Sequence, residues 1–234
     1  MRFGICLLLL LIGPARAEEL VVHFHPRPPY AFLVDGQLSG LSGTPIAHAL
    51  KRAGIAYTIQ ETPAARQLAM AKESKGAHCF VGWYRTHERE HFAQFSRPVY
   101  RDQPNIVLFN AASVNAREIA SLAQLLASTD LILLSKKGYS YGPAIDTMLA
   151  ASPAPRQDVT VENVQMIKML HARRADYIFM APEELDPLLA AANRLKSDFA
   201  IRSFADMPAG QTRHLMCTRA VDPTLLARFD AALE

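Results

Sequence analysis

Past its first seventeen residues, this 234-residue chain has no apolar run long enough to cross a bilayer and only two cysteines. A spanning helix needs about 20 apolar residues, so the body of the chain is expected to be soluble. It also lacks an excess of either charge. The whole chain is formally +3, and the first seventeen residues hold two arginines and no acid, which leaves +1 for the rest. Such a balance gives no reason to expect nucleic acid or an anionic membrane as a partner. Missing too are a Gly-x-Ser-x-Gly elbow and a Gly-rich phosphate loop. Eight histidines are present, but their spacing places no metal site. His23 and His25 alternate on an expected strand, and His87 and His91 lie four apart with no third ligand set beside them. No metal or other cofactor is expected.

What is present at the start is an export leader. Arg2 supplies a basic end, Ile5 to Ile12 an apolar stretch, and Ala15-Arg16-Ala17 a small-x-small cleavage site before Glu18. The expectation is a signal peptide over residues 1–17, cleaved after Ala17, and a mature protein in the periplasm. Cys6 lies within the apolar stretch, ahead of the cleavage site, and is poorly placed for lipidation. Cys79 and Cys217 remain. In an oxidising compartment such a pair is more often bridged than free; two buried thiols are the alternative.

The remaining chain alternates strand-like and helix-like stretches, which predicts an α/β fold with open, doubly wound sheets. Leu20 to Phe24 reads as a strand, and Pro26, Pro28 and Pro29 then force a loop. A helix follows from Thr44-Pro45, with Ile46, Ala49 and Leu50 on one face. Tyr57 to Gln60 is a second strand, Pro63 to Ser74 a helix, and His78 to Gly82 a third strand. The same grammar then repeats. Strands are expected at Asn105–Phe109, Leu131–Ser135, Val159–Val161, Tyr177–Met180 and Arg213–Thr218. Helices are expected at Ile119–Leu126, Pro143–Ala151, Asn163–Ala172 and from Pro223. No Gly/Ser tether separates the two halves.

The stretch from Gly82 to Tyr100 carries the most information. Thr86-His87-Glu88-Arg89 follows a strand, and Phe95-Ser96-Arg97-Pro98-Val99-Tyr100 follows a short helix. Upstream stand Pro28-Pro29-Tyr30 and Asp35-Gly36-Gln37-Leu38-Ser39-Gly40. Downstream stand Gly138-Tyr139-Ser140-Tyr141 and Arg173-Arg174-Ala175-Asp176. In this order the segments resemble the family 3 extracellular solute-binding proteins, the polar-amino-acid type of periplasmic binding protein. The resemblance implies two lobes with a ligand cleft between them. Residues 18–101 plus 202–234 would form lobe 1, and 102–201 lobe 2. It also implies a monomer that captures a small-molecule solute for ABC-type uptake, with a membrane permease or sensor as the further partner.

The residues suit that role on their own terms. Arg89 offers a planar fork of donors for an anionic group, and Tyr30, Trp83 and Tyr84 offer flat walls. Gly138, Tyr139, Ser140 and Tyr141 would meet the solute from the other lobe. The acidic residue that holds a ligand ammonium in amino-acid binders of this family would fall at Ala181, so it is missing here. Glu183, with Glu184 beside it, could substitute. The solute is therefore expected to be anionic or zwitterionic and amino-acid-like. A ligand sensor and a dehydratase acting on small carboxylic acids are the alternatives, since some relatives of this fold have become such enzymes. Cys79 and Cys217 fall in strands of the same lobe, on either side of the excursion into the other, and a bridge between them is expected.

Overall fold

The computed structural model describes residues 20–112 and 118–233; the expected leader, residues 1–17, lies outside them. Continuous apolar runs become strands buried on both faces. Every residue of Ile106–Asn110, Leu133–Lys136 and Tyr177–Met180 is buried. Where the apolar period changes to three and four, helices form. Gly43–Arg52 buries Ile46, Ala49 and Leu50 on one face, and Asn163–His171 buries Met166, Ile167, Met169 and Leu170.

The strands make two separate sheets and one small hairpin. The first sheet runs Tyr57–Glu61, Leu20–Phe24, His78–Tyr84, Thr212–Thr218, Ala93–Phe95, with Tyr100–Arg101 also on Thr212–Thr218. Its first three strands are parallel, and Thr212–Thr218 enters antiparallel beside His78–Tyr84. The second sheet runs Arg156–Val159, Leu133–Lys136, Tyr177–Met180, Ile106–Asn110, Phe199–Arg202. Here too the parallel part is joined by antiparallel partners. The expected doubly wound sheets are thus mixed in direction. The hairpin pairs Phe32–Val34 with Gln37–Ser39.

Each sheet has its own core. Val22, Ile46, Leu50 and Phe229 cluster on one side of the first, while Phe80, Trp83 and Met216 cluster on the other. Leu108, Ile167 and Leu170 cluster on one side of the second, and Phe109, Leu122 and Tyr177 on the other. The chain passes from the first sheet to the second between Arg101 and Ile106, and returns between Arg202 and Thr212. These two passes touch. Asp102 N–H donates to the Gln211 carbonyl at 2.9 Å, and Arg101 Nη1 donates to the Gly210 carbonyl at 3.2 Å. A Cβ on Gly210 would lie 1.7 Å from the Asp102 carbonyl oxygen, so only glycine permits this approach.

Cys79 and Cys217 face each other across adjacent strands and are bonded, 138 positions apart in sequence. The bridge closes the loop that contains the whole second sheet. No helix among the described residues is long and apolar enough to cross a membrane.

Several elements differ from expectation, and the helix Leu185–Ala192 was not anticipated at all. The strand expected at Val159–Val161 lies at Arg156–Val159, on the edge of its sheet and largely exposed. An edge strand needs no apolar run, so hydropathy did not mark it. The helix expected from Ile119 begins at Leu122, where the Ser121 hydroxyl caps it by accepting from Gln124 N–H. A serine cap ends the extended segment there.

Candidate functional site

A cavity of about 90 Å³ lies between the two sheets, with walls from both. On one side are His25, Arg27, Trp83, Tyr84, Arg89 and Arg213; on the other are Lys136, Tyr139, Ser140, Tyr141, Ala181 and Glu184.

Arg89 owes its position to Thr86, whose hydroxyl accepts from Arg89 N–H at 3.3 Å and caps the short helix His87–Glu90. That is what the Thr-x-x-Arg spacing builds. The guanidinium is buried and lies over the Trp83 ring, 4.8 Å from its centre. Nη1 donates to the Tyr84 carbonyl at 2.8 Å, and Nη2 reaches across the cavity to the Gly138 carbonyl at 3.3 Å. Among the described residues no carboxylate pairs with it. Burial consequently pulls its pKa below the ordinary arginine value. Trp83 is itself held: its Nε1–H donates to Gln67 Oε1 at 2.9 Å, and Gln67 Nε2 donates to the Thr62 carbonyl.

The other three cations of the cavity are paired. Arg27 grips Glu184 with two prongs, Nε to Oε1 and Nη2 to Oε2, both 2.6 Å. Arg213 grips Asp102 in the same way, with Nε to Oδ1 and Nη2 to Oδ2 both at 2.7 Å. It also donates to the Gly82 carbonyl and the Tyr84 hydroxyl. Lys136 pairs with Glu162 at 2.8 Å. His25 stands among Arg27, Lys136 and Arg213. Burial first, then these cations, push its pKa down to about 3, so its imidazole is neutral at physiological pH. Neither of its buried ring nitrogens has a hydrogen-bond partner in the protein.

The sequence-predicted residues divide. Arg89, Trp83, Tyr84, Tyr139, Ser140 and Tyr141 line the cavity, and Gly138, at φ +80°, contributes its carbonyl to Arg89. Tyr30 was expected as a wall, and it is not one. The Arg213 guanidinium covers its ring at 3.5 Å, so Tyr30 supports Arg213 from behind. Glu183 also faces elsewhere. Its Oε1 accepts from the Tyr100 hydroxyl at 3.0 Å and from Gln103 N–H at 2.8 Å, which ties it to the outgoing crossover; Glu184 is the glutamate in the cavity. Ser140 was expected to meet the solute, but its hydroxyl donates to Asp146. Tyr139 and Tyr141 N–H are likewise spent within the loop, on the Lys136 carbonyl and Asp146. Sequence reasoning missed His25, Arg27, Lys136 and Arg213 as cavity residues. Of these only His25 had drawn notice, as one of an alternating pair with His23.

The geometry is that of a small chamber between two α/β units, with one cation inside that no carboxylate among the described residues contacts directly. The profile of the bacterial extracellular solute-binding proteins, family 3, matches residues 20–234. The chain belongs to this family. As a family 3 solute-binding protein it also resembles solved structures at low identity. The arginine-, lysine-, histidine-binding protein ArtJ of Geobacillus stearothermophilus superposes with a TM-score of 0.72 at 14% identity, covering 92% of this chain and 88% of that one. An amino acid ABC transporter substrate-binding protein from Streptococcus pneumoniae, bound to L-arginine, gives 0.66 at 22%, covering 92% and 87%. The substrate-binding protein of another amino acid ABC transporter gives 0.67 at 16%, covering 92% and 91%. At these identities the likeness is one of fold. No curated protein matches the sequence significantly. In this family 3 protein the two sheets and their crossovers form the two lobes of the fold.

Proposed function

We propose that this protein is the periplasmic capture subunit of an ABC-type uptake system, working as a monomer without catalysis and closing two lobes over a small anionic solute. Residues 18–101 with 202–234 make one lobe and 102–201 the other, and the contacting passes around Asp102 and Gly210 are the hinge. Residues 1–17 direct export and are removed.

One observation carries the reading: Arg89 presents a buried guanidinium with no carboxylate partner among the described residues, in a chamber between the sheets and hydrogen-bonded to both walls. A buried cation without a counter-charge is costly, and a solute anion would neutralise it. The fork of Arg89 suits a carboxylate. Because each lobe supplies only part of the wall, hinge closure would complete the site.

A thermal-shift screen of the purified protein against amino acids, polyamines and small acids tests this. A solute at 100 times its Kd adds about 2.7 kcal/mol to stability, a clear rise in Tm. A rise with anionic or zwitterionic compounds is expected; a rise with polyamines alone would sink the reading.

A further inference from the structure

The charges around the cavity decide which kind of anion it takes, if capture of a small anion is granted. The carboxylates around the chamber are engaged, apart from one oxygen of Glu183, which is outside the cavity lining. Glu184 spends both oxygens on Arg27, and Asp102 both on Arg213. Glu162 meets Lys136, Asp146 meets Ser140 and the Tyr141 N–H, and Glu183 meets Tyr100 and Gln103 through Oε1 alone, its Oε2 buried without a partner. The wall between these groups is apolar, with Ala181, Met180 and Ile178 facing the space. Among the described residues, Glu184 is the one carboxylate that lines the cavity, and both its oxygens are held by Arg27, so none of the lining carboxylates is free to neutralise a solute ammonium. Desolvating an ammonium without a counter-charge is strongly unfavourable.

A second observation is independent of that tally. His25 lines the cavity with both ring nitrogens buried and unpartnered. A neutral imidazole has one N–H donor and one acceptor nitrogen. Its natural complement is an uncharged group that can serve either, such as a hydroxyl.

We infer that the solute is a small organic monocarboxylate without an ammonium group, its carboxylate on Arg89 and an uncharged oxygen substituent against His25. Size agrees with small. A water needs roughly 10–15 Å³ of such space, so about 90 Å³ holds a handful of heavy-atom groups. Met166, Ile167 and Leu188 supply an apolar surface for a short hydrocarbon part.

Calorimetric titration of the purified protein tests this with sets that differ at one position. The sets are alanine, lactate and propanoate, then leucine, 2-hydroxy-4-methylpentanoate and 4-methylpentanoate, with arginine and putrescine as cationic probes. The expected result is that the hydroxy acid of at least one set binds ten times or more tighter than its amino acid. Its advantage over the unsubstituted acid should vanish in His25→Phe, and its binding should fall at least tenfold in Arg89→Ala. An amino acid that binds as tightly as its hydroxy counterpart overturns the inference and leaves anion capture standing. Binding of putrescine alone overturns both, as does binding by none of the probes.

Discussion

Arg27 and Glu184 are 157 residues apart in sequence and joined by two hydrogen bonds of 2.6 Å. One precedes the Pro28-Pro29 turn beside the first sheet, and the other follows the last buried strand of the second. The pair therefore joins the two lobes on one side of the cavity, which Glu184 also lines.

If this pair acts in closure, Glu184→Ala should weaken solute binding while leaving the open protein folded. A charge-assisted hydrogen bond of this kind is worth about 2 kcal/mol, more than tenfold in Kd. The loss should be equal for an amine-bearing solute and its amine-free counterpart. Titrations of the variant with both compounds check this, and a loss confined to the amine-bearing one would mean that Glu184 holds an ammonium.

The disulfide is the second point of test. Cys79 and Cys217 belong to neighbouring strands of one sheet, and the loop between them contains the entire other sheet. Closing a loop of that length constrains the unfolded chain by about 4 to 5 kcal/mol on the chain-entropy account. Replacing both cysteines by alanine should lower the urea midpoint accordingly while the fold persists. Reduction should destabilise the parent and leave the double variant unchanged. Free thiols in the denatured, unreduced parent would refute the bridge.

How far the sequence reveals this structure depends on what each feature rests on. Buried strands such as Ile106–Asn110 and Tyr177–Met180 announce themselves as apolar runs, and the Thr86 cap with Arg89 is a local motif. Ala93–Phe95 and Phe199–Arg202 were not foreseen, because three or four residues carry too little period to read. The cavity's charge pattern was hidden for a different reason. Arg213 meets Asp102 across 111 residues, and a single arginine in an apolar strand gives no sign of which carboxylate it will face. Tyr30 shows the consequence. Its motif was legible, but the arginine lying on its ring was not.

Acid should weaken the fold through its buried histidines. His23 is buried, its Nδ1 against the Thr62 hydroxyl and its Nε2 against His78 Nδ1. Burial, then His78, push its pKa down to about 4, and His25 falls to about 3. Both are neutral when folded and take up a proton near pH 6.5 when unfolded. The unfolded state thus binds more protons between pH 6.5 and each depressed value, and stability falls as pH falls through that window. Each site should cost on the order of 2 kcal/mol by pH 4.5. His23→Gln should flatten the dependence between pH 6.5 and 4.5 by about its share, measured by urea unfolding across pH. An unchanged slope would place His23 in water.

Arg89 gives the most direct test of the site. Its guanidinium bonds two carbonyls on opposite walls and lies on Trp83, with no carboxylate against it. Lysine would keep the charge but not the planar fork, and its single ammonium cannot meet a carboxylate with two parallel hydrogen bonds. Arg89→Lys should therefore lose affinity clearly, and Arg89→Ala should lose more, on the order of 2 to 5 kcal/mol for a desolvated ion pair. The stability of the bare protein should respond far less. Removing a buried cation that has no counter-charge relieves a desolvation cost, so Arg89→Ala without solute should be destabilised little, and only through the lost carbonyl bonds and ring contact. Measured together, a large loss of affinity with a small loss of stability marks a side chain positioned for the solute. Unchanged affinity in Arg89→Ala would remove Arg89 from the site and with it the anionic reading.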